Sequence, residues 1–161
     1  MSMDNLSDLL EEQLKDLYNA ENQLTKALPK MAKKASSATL KKAFEDHLAE
    51  TEEHVERLKQ VCESLDIKPT GKTCKAMKGL IEEGAEVIEE EGEESVIDAA
   101  LVAAAQRVEH YEISAYGTVC AIAEALGKND VVKILRKTEA EESAADEKLT
   151  QISESELLTN A

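Results

Sequence analysis

The sequence predicts an all-α protein: a four-helix bundle of two antiparallel helical hairpins, joined by a long crossover that carries a short extra helix. Three observations carry this. Apolar residues recur at helical spacing along nearly the whole chain. Short polar turns separate the members of each hairpin, whereas about 28 residues, 66–93, separate the two hairpins. A shift of 91 residues also lays the first hairpin on the second.

In the first helix, about 5–35, Leu6, Leu9, Leu10, Leu14, Leu17, Leu24, Leu28 and Met31 form one apolar stripe behind the capping residue Asn5. Pro29 lies inside that span and is expected to kink its last turn rather than end it. Ser36 and Ser37 offer a turn and a new cap. A second helix follows over about 37–65, with Leu40, Phe44, Leu48, Val55, Leu58, Val61 and Leu65 apolar. The stretch DIKPTGKT reads as a loop, and CKAMKGLIEEGAEVIEEE as a weaker helix over about 74–91. The third long helix, about 95–126, starts at the cap-type residue Ser95. Gly127 then sits where glycine is favoured after a helix, and the fourth long helix covers about 129–152. The tail SESELLTNA is expected to fray.

The 91-residue shift aligns Ala49-Glu50 with Ala140-Glu141, and Glu56-Arg57-Leu58 with Glu147-Lys148-Leu149. It also puts Leu10 on Leu101, Leu14 on Ala105, Leu17 on Val108 and Glu21 on Glu112. One register serving both helix pairs indicates a duplicated hairpin. A crossover of this length can run along the bundle and leave the second and third long helices parallel. That is the single-crossover topology of ferritin-like bundles, here a single domain over 1–161.

Acidic residues outnumber basic ones by 34 to 19, a net charge of −15. Such a surface repels phosphate backbones and anionic bilayers, so neither a nucleic-acid nor a membrane partner is expected. No apolar run approaches the roughly 18 residues of a membrane span. The N-terminus MSMDNLSDLLEEQ lacks the apolar core of a signal peptide, and a cytoplasmic protein is expected. Cys62, Cys74 and Cys120 have no C-x-x-C spacing and read as reduced thiols rather than as a disulfide or a zinc site.

Candidate chemistry lies in carboxylates on core-facing positions. Glu21 falls among Leu14, Leu17, Leu24 and Leu28, and Glu112 among Ala105, Val108 and Val119, with Glu109 on the same face. In an antiparallel hairpin, residues equidistant from the turn lie level. Glu21 and Glu50 are centred on the Ala35/Ser36 turn, and Glu112 and Glu142 on Gly127, so one Glu from each long helix falls in one layer. Four such carboxylates need protons or cations, and two carboxylate-bridged metal ions are the recurrent solution in four-helix bundles. Oxygen-rich donors with few imidazoles suit iron or manganese. His54 and His47 flank Glu50 within one turn, and Asp146 stands in the same relation to Glu142. His110 fits an outer position. Tyr18, Tyr111 and Tyr116 lie close to the carboxylates in sequence, where a phenol could hydrogen-bond a ligating carboxylate.

The stretches LYNAENQLTKALPKMAKKA, HLAETEEHVERL, CKAMKGLIEEG, AAAQRVEHYEISAYGT and EESAADEKLTQI resemble the YciE/YciF-like family of ferritin-like bacterial proteins over nearly the whole chain. The resemblance implies a ferritin-like fold, a homodimer, a stress-associated role and a centre of two iron or manganese ions per chain. Its ligands would be Glu21, Glu50, Glu109, Glu112 and Glu142, with Glu141 as the neighbour that could replace Glu142 and His54, His47 or Asp146 completing the set. Where ferritins carry Glu-x-x-His, this chain has Glu50 and His54, then Glu142 and Asp146. Two functions follow as expectations. One is a dinuclear metal protein that meets O2 or peroxide, or sequesters metal. The other is a helical dimeric interaction protein with a degenerate metal site.

Overall fold

A computed structural model describes residues 3–159. Five helices follow in order: α1 (Leu6–Lys34), α2 (Ala38–Ser64), α3 (Lys75–Glu89), α4 (Glu94–Ala125) and α5 (Asn129–Ile152). No strand occurs among the described residues. All five fall within a few residues of the spans predicted from periodicity, and α1 passes through Pro29 without interruption.

Local chemistry sets most of the boundaries. The Asn5 side chain accepts from the Ser7 and Asp8 amides, and Ser37 accepts from Leu40 N–H. Gly127 has φ +70°, the left-handed conformation that ends α4 at little steric cost. At two places the structure corrects the sequence reading. Ser95 lies inside the first turn of α4, behind Glu93, which makes no side-chain cap. The expected frayed tail instead continues α5 as a wide helical turn, Ser153–Leu157, because Leu157 buries itself in the core. The remainder of that tail, residues 160–161, lies outside the described residues.

Long-range contacts fix the helix directions. Along α1 and α4, Ser36 meets Asp98 whereas Glu21 meets Tyr116, so these helices are antiparallel. Asp46 meets Lys148 and Arg57 meets Thr138, which makes α2 antiparallel to α5. With each hairpin antiparallel, α2 and α4 run parallel, as the single-crossover topology requires. The crossover is pinned to α1: Cys74 N–H donates to Asn19 Oδ1 at 2.7 Å, and Gln23 donates to the Cys74 carbonyl.

The apolar core is divided in two. One cluster around Leu24, Leu28, Leu40, Phe44, Leu101 and Leu149 fills the end near the α1–α2 turn. The other, around Leu14, Leu17, Leu58, Val61, Val119 and Leu135, fills the opposite end. Cys62 and Cys120 lie in the second cluster and Cys74 in the first; all three are free, and burial pushes the Cys62 and Cys120 thiols up to about 11.

Buried Asp98, near the start of α4, accepts from both Ser36 N–H (2.9 Å) and Ser37 N–H (2.7 Å) and so locks the α1–α2 turn to α4. Asp98→Ala strands two amides at once. It is expected to lower unfolding stability by about 2 kcal/mol in urea titration, through loss of two hydrogen bonds to a carboxylate.

Candidate metal centre

Between the two apolar clusters lies a polar layer supplied by the four long helices: Glu21 from α1, His47 and His54 from α2, Glu109 and Glu112 from α4, and Glu142 from α5. Glu21, His54, Glu112 and Glu142 have no exposed surface, and His47 and Glu109 almost none. Two groups form around a shared member: His47, Glu109, Glu112 and Glu142 on one side, Glu21, His54 and Glu142 on the other. Within each group the donor atoms lie within 4.8 Å of one another. His47 Nε2 is 2.8 Å from Glu109 Oε1 and 3.6 Å from Glu142 Oε2. His54 Nδ1 is 2.9 Å from Glu142 Oε1 and 3.5 Å from Glu21 Oε1.

These atoms are close, yet they are not aligned as hydrogen bonds. His47 Nε2, His54 Nδ1, Glu21 Oε2, Glu109 Oε2 and both oxygens of Glu112 and of Glu142 are buried without a hydrogen-bond partner. Convergent buried donors of this kind could hold a metal ion. The outer contacts are satisfied in contrast. His54 Nε2 meets Glu141 at 2.9 Å, and Arg57 clasps the same carboxylate through both terminal nitrogens, at 2.5 and 3.1 Å. Glu141 thus anchors the His54 ring through Nε2 and leaves Nδ1 facing the layer. Tyr116, wholly buried, donates to Glu21 Oε1 at 2.7 Å.

Electrostatics follow from burial and crowding. Burial, reinforced by the carboxylates of Glu142, Glu21 and Glu109, pushes Glu112 well above the usual carboxylate range. Burial likewise raises Glu109, against the pull of His47. Burial opposes charge on the imidazoles, but Glu109 lifts His47 well above its ordinary value, while Glu142 and Glu21 lift His54 to about 10. Against its own burial, Glu142 is held down at about 2 by the neighbouring His54, Glu109 and His47.

Residues 5–161 match the family described as a domain of unknown function, DUF892. The chain is 48% identical over 153 residues to Protein YciF of Escherichia coli K12, covering 94% of this chain and 92% of that one. It belongs to this YciF-like family. Among solved structures, that of the E. coli stress protein YciF matches with a TM-score of 0.91 at 48% identity, covering 94% of this chain and 96% of that chain. YcfI from Rhodopseudomonas palustris matches at 0.89 and 47% identity, over 93% and 97%. A Xanthomonas campestris protein, 19% identical, shares the fold at a TM-score of 0.73, over 94% and 92%.

In this YciF-like chain, Glu21, His47, His54, Glu109, Glu112 and Glu142 come together as the sequence suggested. Glu50 and Asp146 do not. The Glu50 side chain is 48% exposed and only grazes His47 Nδ1, at 3.4 Å. The inward stripe of α2 runs Leu40, Phe44, His47, Thr51, His54, Leu58, and Glu50 sits about 100° round the helix from Thr51. Asp146 is half-buried on α5 outside both groups, with Oδ2 3.3 Å from the exposed His110 and Oδ1 buried without a hydrogen-bond partner. Glu141 supports His54 from outside rather than replacing Glu142. Of the tyrosines, Tyr116 has the anticipated role. Tyr111 points away, donating to Asp16 beside the Cys74 thiol, and Tyr18 packs with the apolar residues. The Arg57–Glu141 pair was not anticipated, because the local charge spacing points only to Arg57 with Glu53, four residues earlier on α2.

His47, His54, Glu109 and Glu112 each hold a proton more tightly folded than unfolded. Their stabilising contributions are complete below the unfolded values, 4.5 for the carboxyls and 6.5 for the imidazoles, and fade as pH rises, His54's by about 10. Glu142 acts oppositely, its contribution being lost only as pH falls from 4.5 towards about 2. Metal-free protein is therefore expected to lose stability from mildly acidic to alkaline pH. The urea midpoint in chelator should fall across this range, and Glu112→Gln should flatten the slope.

Proposed function

We propose that this chain is a dinuclear metal carboxylate protein, holding two iron or manganese ions between its helices, and that it handles oxidants or sequesters metal under stress as a cytoplasmic homodimer. The observation that supports this reading is the set of buried, unpartnered donor atoms facing one another at mid-bundle. Buried polar groups are normally hydrogen-bonded, and each exception costs about 1–3 kcal/mol. A purely structural dimer has no use for that cost, since apolar residues of similar volume would pack more stably.

The donor set fits the ions. Four carboxylates and two imidazoles match metals of intermediate hardness rather than the thiolate-rich sites of structural zinc. His47, Glu109, Glu112 and Glu142 would hold one ion, and Glu21, His54 and Glu142 the other, with Glu142 common to both. Bound iron or manganese supplies Lewis-acid and one-electron chemistry towards a small oxidant. The chain's part is to orient and shield. Arg57 and Glu141 fix the His54 ring, Tyr116 steadies Glu21 and offers its proton at that carboxylate, and the apolar clusters keep bulk water from both sides.

The shared ligand makes a stoichiometric test. After anaerobic reconstitution, elemental analysis should find about two ions per wild-type chain, about one in Glu21→Gln and fewer than about 0.2 in Glu142→Gln. Undiminished metal in Glu142→Gln, or an unloaded wild type, would overturn the reading.

A further inference from the structure

We propose that the His47 side of the centre alone is open to an outside ligand, a small uncharged molecule of two or three atoms that arrives through a pocket beside Ala145. The proposal rests on the two-metal reading above.

The pocket lies between α2 and α5 and has a volume of about 120 Å³. Its walls include Phe44, Ala145 and Leu149, and its lining reaches two members of the polar layer, His47 and Glu109. Both are more than nine-tenths buried, and His47 Nε2 and Glu109 Oε2 have no hydrogen-bond partner. Neither Glu21 nor His54 borders the pocket. Their side is closed by the buried Tyr116 bonded to Glu21 and by the Arg57–Glu141 clasp against His54.

The internal repeat accounts for the opening. The 91-residue shift that sets Glu21 on Glu112 also sets Thr51 on Glu142 and His54 on Ala145. Where the first half presents an imidazole next to Glu21, the second half therefore presents a methyl group at the corresponding place by Glu112. The missing ring leaves room on the His47 side and none on the other.

Size and polarity select the occupant. Sites for drug-sized molecules run to roughly 300–1,000 Å³, so this pocket excludes a nucleotide or a sugar. Its largely apolar walls disfavour an ion without a partner. Lys148, 3.7 Å from Asp46, lines the pocket together with the carboxylates of Glu50 and Glu141, a charge set that gives no attraction for anions. A neutral diatomic or triatomic molecule remains.

Nitric oxide added anaerobically to the iron(II)-loaded chain is a neutral diatomic probe, read by electron paramagnetic resonance and stopped-flow absorbance, with iron content measured in parallel. The wild type should bind about one nitric oxide per two irons. Ala145→Phe should slow association at least about tenfold while both irons stay bound, an added barrier of about 1.4 kcal/mol or more. Ala145→His should abolish uptake and hold iron more tightly, because it fills the pocket with the ligand the repeat implies. It decides the matter if Ala145→Phe fails to fold. Nitric oxide binding equally to both irons, or at the wild-type rate in a folded, loaded variant, overturns this proposal alone. A wild-type chain that takes up no iron overturns the two-metal reading and this proposal with it.

Discussion

Six ionisable side chains packed into a buried layer between four helices are the constraint on which the rest of this structure depends. Four carboxylates and two imidazoles cannot all adopt their ordinary charge states without water. The two apolar clusters close the layer towards both ends of the bundle. Protons on Glu109 and Glu112 and charge on the imidazoles are the adjustment available to the chain by itself. Cations are the adjustment that also satisfies the geometry, because they place a partner where the donor atoms converge.

Holding the layer in register is the work of groups outside it. Asp98 ties the α1–α2 turn to α4 and so sets the height of Glu21 against Glu112. Asn19 and Gln23 fasten Cys74, in the crossover, to α1 two residues before and two after Glu21. Arg57 and Glu141 fix the relation of α2 to α5 at the level of His54. Each fastening joins two different elements, Asp98 at the end of the bundle and the others near the layer. A displacement of one helix by a single residue would carry a carboxylate about 1.5 Å along the axis and about 100° round it, enough to break the convergence.

Much of this was legible in the sequence because helical periodicity, cap residues and Gly127 are local signals that tertiary contacts did not override. The crossover topology followed from connector length. The carboxylates of α1 and α4 were found because each interrupts an otherwise apolar stripe. On α2 the same logic failed for an instructive reason. The inward stripe there carries His47, Thr51 and His54 consecutively, so the apolar residues of the helix, taken alone, trace a line displaced towards Leu48 and Val55. Distance from the α1–α2 turn, which brings Glu50 level with Glu21, fixes height but not facing, and the Glu50 side chain is half exposed. The repeat held the correction: it pairs Glu50 with Glu141, both outside the layer, and Thr51 with Glu142. Asp98 and the order in the tail were illegible because both depend on what another helix brings alongside, Ser36 and Ser37 in one case and the core around Leu157 in the other.

The divided core has a mechanical consequence. Two apolar clusters separated by a polar layer amount to two short bundles sharing the same four long helices, with the layer between them at mid-height. Local opening in proteins proceeds by cooperative units whose limits fall where apolar contact is interrupted. With its charges mutually neutralised, the layer transmits stiffness from the Asp98 end to the Gly127 end. With them unbalanced, each half could loosen while the other stays packed, and the charge balance of a small buried layer would then set how far the two halves move together.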